Sequence, residues 1–245
     1  MVYSREKHLA YMNKYYYKHR EERRPGRREY YKNFRRKLKF DVSKHYGSRC
    51  ACCGETNINL LTIHHIDGRH EKIKLEDKHS GIYIWSWLRR HNYPKDFQLL
   101  CFNCNCSIKH HLKQYCTVHH PELYDCSKPP RKTHYFRFQR LGFQKRRQEV
   151  INHYGNKCKC CGESHLEFLT IDHIQHSHQI LVQNLYGERL YRYLIRNNFP
   201  SGYQVLCWNC NVLKTNLNNE LCYVHHPEIY DSKPSQIILK GEEIK

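Results

Sequence analysis

No apolar run in this 245-residue chain approaches the roughly 18 residues that a membrane-crossing helix requires. The opening stretch, MVYSREKHLAYMNKYYYKHR, has no apolar block of the kind that marks a secretory leader. Without export, the expected setting is intracellular and reducing, cytoplasm or nucleoid, where thiolates serve metals more often than disulfides. Apolar residues are scarce as well, at 39% with a mean hydropathy of −0.89, which argues against one large hydrophobic core. Acidic residues are few, 23 against 42 Lys and Arg, and the formal charge of +19 exceeds what a solvated surface needs. Such an excess implies an anionic polymer as partner, most simply a nucleic acid such as double-stranded DNA.

Cysteine and histidine are abundant, at 14 and 20 residues. A thin core combined with many such side chains points to folding energy drawn from bound metal.

The chain repeats itself. HYGSRCACCGETNINLLTIHHI (45–66) matches HYGNKCKCCGESHLEFLTIDHI (153–174), and LRRHNYPKDFQLLCFNCN (88–105) matches LIRNNFPSGYQVLCWNCN (194–211). CTVHHPELYD (116–125) matches CYVHHPEIYD (222–231). The order is preserved and the offset changes by only two residues, so the chain is a tandem duplication, read as two small modules rather than a solenoid. The expected division is a basic helical arm (1–44), module one (45–126), a basic linker and helix (127–152), module two (153–231) and a tail (232–245). The segment CSKPPRKTH (126–134) carries the Pro and charge of a linker.

Residues 1–49 contain 16 Lys and Arg against 5 Asp and Glu, with Tyr3, Tyr11, Tyr15, Tyr16, Tyr17, Tyr30 and Tyr31 among them. Two helices broken at Pro25-Gly26 are expected, the second ending near His45-Tyr46-Gly47, with Gly155 repeating the cap. Arg23, Arg24, Arg27, Arg28, Arg35 and Arg36 are candidate phosphate contacts, the tyrosines packing either on nucleic acid or on module one. A helical insertion recurs between the strands (81–92 and 187–198). Its Ile84, Trp87 and Leu88, and Leu190, Tyr193 and Leu194, read as core, while Arg89, Arg90, Arg192 and Arg196 on the polar faces are candidate phosphate contacts.

Each module carries two C-x2-C pairs: Cys50/Cys53 with Cys101/Cys104, and Cys158/Cys161 with Cys207/Cys210. Two intervening residues let a tight turn aim both sulfurs at one ion, and two turns complete a tetrahedron. Four thiolates leave no open position, so two structural Zn²⁺ ions per chain are expected. Cys52 and Cys160 are ambiguous alternates. The matched Cys116, His119 and His120, and Cys222, His225 and His226, have ligand chemistry and two readings, help for a second metal or structural packing, of which packing is favoured.

Between the pairs lie LLTIHHI (60–66) and FLTIDHI (168–174), β-branched runs that read as strands, followed by QLLC or QVLC and a polar helix. This order, with Asp172-His173-Ile174, Leu206-Cys207-Trp208-Asn209-Cys210-Asn211 and Lys214, resembles the zinc-braced HNH endonucleases of the ββα-metal superfamily. Phage homing endonucleases and endonuclease VII-type resolvases look closest. The resemblance implies an α+β fold of two zinc-braced ββα-metal modules in tandem after a basic helical arm. It also implies metal-dependent DNA cleavage by two sites in one chain acting as a pseudo-dimer. It places His173 and His65 as general bases, Asp172 and Asn211 with His64 and Asn105 at the catalytic metal, and Lys214 near phosphate. A histidine activates water near neutral pH, and a cation such as Mg²⁺ offsets charge on phosphate. The sequence departs from the family in lacking its middle Asn, which falls near Asp96 or Gly202. Module one also has His64 where an acid is usual, so Mg²⁺ is expected to favour module two. The other reading is a non-catalytic zinc-containing protein that binds DNA or RNA.

Overall fold

The computed structural model describes residues 5–66, 81–109, 115–123, 134–174, 185–215 and 221–226, and its architecture is mixed α+β. Helix α1 (Arg5–His45) leads into strand β1 (Leu61–His65), helix α2 (Ile82–Arg90), strand β2 (Phe97–Cys101) and helix α3 (Phe102–Lys109). The second half follows the same order: α4 (His134–His153), β3 (Leu169–His173), α5 (Glu188–Arg196), β4 (Tyr203–Cys207) and α6 (Trp208–Thr215).

The arm is one helix, not two. It runs through Pro25-Gly26 without a break. A proline removes one backbone hydrogen bond and strains one turn, and here strong helix formers (Arg, Glu, Lys) flank it on both sides. The helix stops where expected. Gly47, at φ 88°, follows the last turn, and the Ser48 and Gly47 N–H groups donate to the Ser43 and Lys44 carbonyls. That pair of bonds satisfies carbonyls the helix end would otherwise leave open. Gly155 does the same after α4, with the Asn156 N–H donating to the Ile151 carbonyl.

Most of α1 is solvated. Tyr11, Tyr16, Tyr17 and Tyr30 are exposed, and burial begins only at Leu38, Val42 and Ser43. Those final turns pack on α2, as the final turn of α4 packs Val150 and Ile151 in the second core. Trp87 and Leu88 of α2, and Leu190 and Leu194 of α5, are buried, as their spacing implied. Trp85 and Tyr191 join them.

Each half has one antiparallel strand pair. β1 and β2 run from Leu61↔Cys101 to His65↔Phe97, and β3 and β4 from Leu169↔Cys207 to His173↔Tyr203. A two-stranded sheet this short is marginal in water, so neighbouring helices and cross-links must hold it. Tyr46 helps: its hydroxyl donates to the Pro94 carbonyl at 2.8 Å, and Tyr154 repeats the bond to Pro200 at 2.7 Å.

The halves also share their cores. Phe168, in the single 3-10 turn before β3, lies among the buried residues of the first half. Leu60, from the matching turn before β1, lies in the core of the second. Helices α3 and α6 meet between them. The result is a pseudo-twofold arrangement of two similar halves.

Candidate metal centres and strand-end site

The first C-x2-C turn is shaped by the backbone. The Gly54 N–H donates to the Cys50 carbonyl, Gly54 has φ 79°, and the Ala51 N–H reaches the Leu99 carbonyl of β2. A side chain at that φ is strained, so glycine suits the position. The second pair sits where β2 passes into α3, which brings Cys101 and Cys104 against the turn. Cys50, Cys53, Cys101 and Cys104 thus place four sulfurs within 4.8 Å of one another, and Cys158, Cys161, Cys207 and Cys210 do the same. Backbone N–H groups of Cys53 and Cys104 donate to the Cys50 and Cys101 sulfurs. Both sets have the composition of a zinc site.

Each half gathers a further group from one expected zinc cysteine, the ambiguous middle cysteine and the Cys-x2-His pair favoured as packing. Cys52, Cys104, Cys116 and His119 converge in the first half, and Cys160, Cys210, Cys222 and His225 in the second. The knuckle's middle cysteine points away from its neighbours' cluster, toward the later Cys-x2-His segment. His120 and His226 serve differently: their Nε2 atoms approach the Cys52 and Cys160 carbonyls at 3.4 and 3.1 Å. The signal was present in the repeat, because Cys52, Cys116 and His119 each have a counterpart in the second copy, whereas Cys106 has none.

The thiols in these clusters are electrostatically entangled. Bonds from Cys101 and Cys104 hold the Cys50 thiol far below its ordinary range, and Cys101 first brings Cys53 down to about 7. Cys104 is driven far up by Cys101 and Cys116, and Cys210 by Cys158 and Cys160. The Cys160 and Cys222 sulfurs raise the His225 imidazole to about 10. Sulfurs this crowded ionise together only when cations offset them.

The strand ends carry the other predicted residues. In the first half, His65 is nearly buried and its Nε2 lies 3.0 Å from Asp96 Oδ2. Next to it, His64 Nδ1 lies 3.0 Å from Asn105 Oδ1, so strand and helix residues assigned to one cation are in contact. Asp96 occupies the position of Gly202, since the Ile66 and Ile174 N–H groups donate to the carbonyls of Asp96 and Gly202.

The second half is built otherwise. Asp172 is matched not by an open face but by the buried Lys214, whose ammonium lies 2.5 Å from Asp172 Oδ2 and also donates to the His173 carbonyl. Gln204 Nε2 donates to the same Asp172 oxygen at 2.9 Å. Lys214 therefore does not reach a surface where phosphate would lie: it is 3% exposed. The His173 ring packs against Tyr203, and Asn211, on the first turns of α6, is partly buried.

Among the basic residues, Arg27, Arg35, Arg89, Arg90 and Arg196 are exposed and Arg36 is partly so. Arg23, Arg24 and Arg28 belong to α1, but their side chains lie outside the described residues, as does Cys126. No helix among the described residues is long and apolar enough to cross a membrane. Comparison with protein-family models, curated proteins and solved structures returns no match.

Proposed function

We propose that the chain is a metal-dependent DNA endonuclease of the HNH type, its two halves being ββα-metal modules braced by structural Zn²⁺. The observation that carries the reading is the first half's strand end. There a nearly buried histidine is held by a carboxylate at 3.0 Å, beside a second histidine in contact with a helix asparagine. A carboxylate orients an imidazole and favours its protonated form as it accepts a proton, which is what a general base activating water needs. His65 takes that role, positioned by Asp96. His64 and Asn105 supply one nitrogen and one oxygen ligand, a set suited to a transition ion such as Mn²⁺ or Ni²⁺ and less well to Mg²⁺. A cation held by His64 and Asn105 would supply positive charge against the scissile phosphate.

Ligand chemistry alone favoured the second half for Mg²⁺, but the Lys214 ammonium stands against Asp172 where a cation would bind. The working site in this reading is therefore His65 with His64 and Asn105, and His173 with Asp172 and Asn211 is held inactive by an internal cation. The exposed arginines of α1 and α2, with the net charge of +19, serve the DNA backbone.

The test is supercoiled-plasmid nicking in Mn²⁺, Ni²⁺ and Mg²⁺. Wild type nicks best in a transition ion, His65→Ala loses at least a hundredfold, and His173→Ala retains most activity. No cleavage of duplex, branched or single-stranded substrates by wild type in any of these ions leaves the non-catalytic nucleic-acid-binding reading.

A further inference from the structure

We infer that each half holds not one zinc but two, joined by a shared thiolate: Cys104 in the first half and Cys210 in the second. The chain as a whole would then carry four ions, one for each of its four ligand groups.

The argument begins with sharing. Cys104 belongs both to the four-cysteine group and to the group with Cys52, Cys116 and His119. Cys210 belongs to both groups of the second half in the same way. Two tetrahedral ions need eight ligand positions, and seven residues supply them when one sulfur bridges. Each half provides that number: six cysteines and one histidine.

Distances agree with tetrahedra. With Zn–S near 2.3 Å, ligand sulfurs about one zinc lie about 3.8 Å apart, and sulfur and imidazole nitrogen about 3.5 Å apart. In the expected four-cysteine site, Cys53 and Cys101 are 3.7 Å apart, and Cys161 and Cys207 are 3.8 Å apart. The additional site comes near these figures and is somewhat tighter. Cys222 to Cys210 is 3.8 Å, Cys52 to Cys116 is 3.5 Å, Cys160 to Cys222 is 3.3 Å, and His119 and His225 Nδ1 each lie 3.5 Å from the bridging sulfur. Contacts of 2.9 and 3.0 Å from these Nδ1 atoms to Cys116 and Cys222 are tighter and leave room for small adjustment on loading.

Two further observations oppose a chance gathering. His119 and His225 are exposed, yet each turns Nδ1 inward onto sulfur rather than to water. Also, the pattern recurs at every matched position across two copies whose surfaces have otherwise diverged. Charge balance favours the pair as well. Six thiolates around two Zn²⁺ ions leave about −2, the same as one ion with four thiolates, whereas a single ion would leave two further thiols outside any metal. The second ion fixes the Cys-x2-His segment to the knuckle. Through His119, whose ring lies 5.6 Å from that of Phe168, it also touches the other half of the molecule.

The test uses the full chain purified from zinc-supplemented cells. Elemental analysis and native mass spectrometry should give four zincs per chain, falling to two in the His119→Ala/His225→Ala double variant with helical circular dichroism retained. Two zincs in wild type would overturn the inference. Bridging is read separately by ¹¹³Cd exchange: coupled cadmium resonances within each half support a shared thiolate, and four uncoupled resonances would overturn it. Should the double histidine variant fail to fold, the cadmium spectrum of wild type still decides. These readouts do not depend on DNA cleavage.

Discussion

Asn103 and Asn209 cap each other's helices. The backbone N–H of each donates to the side-chain carbonyl of the other at 3.0 Å, across the junction of the two halves. Both residues stand second in their helices, where a backbone N–H has no intrahelical acceptor. Asparagine usually performs this service for its own helix from just outside it. Here each does so for the other's, and the helix starts that follow Cys101 and Cys207 are tied together.

Removing one cap therefore weakens the junction without touching a metal ligand. Asn103→Ala and Asn209→Ala should each cost about 1–2 kcal/mol, because a largely desolvated N–H loses its acceptor. A metal-saturated melt should show a drop of several degrees in Tm for either variant. An unchanged Tm would show that the junction adds little to stability.

Phe168 makes a stronger prediction. Its side chain fills the first half's core from the second. Phe168→Ala should cost about 3–5 kcal/mol, the usual range for a buried aromatic. The loss should appear as faster proteolysis in residues 45–123 as well as around β3. Protection of the first half at wild-type level would contradict the shared core.

Lys214 offers a gain-of-function test. Lys214→Ala leaves the largely buried Asp172 carboxylate with Gln204 as its partner among the described residues, and an unpaired buried charge is worth several kcal/mol of instability. A divalent cation should restore part of that loss. Mg²⁺ is expected to raise the Tm of Lys214→Ala and leave wild type unmoved. It should also raise cleavage that depends on His173. A Tm of the variant insensitive to Mg²⁺ would mean that Asp172 does not form a cation site even when released.

Alkaline pH should loosen the fold through two tyrosines. Burial first, and then Asp96 and Tyr93 beside Tyr46 and Tyr203 and Tyr193 beside Tyr154, push Tyr46 and Tyr154 up to about 12 from an ordinary 10. Between those values the folded chain keeps protons that the unfolded chain has lost, so stability falls as pH rises through that window. Ultraviolet titration should show a late-ionising group of tyrosines, which also includes Tyr191 and Tyr203 and loses one member in each of Tyr46→Phe and Tyr154→Phe.

The arm's contribution to binding can be measured by truncation. Removal of residues 1–33 takes away much of the arm's charge but spares Leu38 and Val42, which belong to the core. The dependence of DNA affinity on salt should flatten, since fewer counterions are released. The same slope in both forms would exclude α1 as a phosphate-contacting element.

Much was legible in the sequence because the chain states it twice. The strands, the helical insertions, the Gly47 and Gly155 helix ends and the four C-x2-C pairs all follow local rules of spacing and backbone conformation. Comparing the copies separates matched positions from incidental ones. The arm was misjudged at Pro25-Gly26 because a local breaker is weighed against a whole helix, and that balance is not local.

Local pattern fixed which residues are able to bind metal, cap helices or line a core, since spacing and residue chemistry act over a few positions. Tertiary structure decided who meets whom. Cys104 faces two ligand groups at once because β2, α3 and the Cys116 segment converge on one sulfur. Lys214 reaches Asp172 because α6 lies against β3, and Phe168 leaves its own half because the two halves pack face to face. These outcomes join residues far apart in the chain, where the fold sets the distances and no periodicity records them.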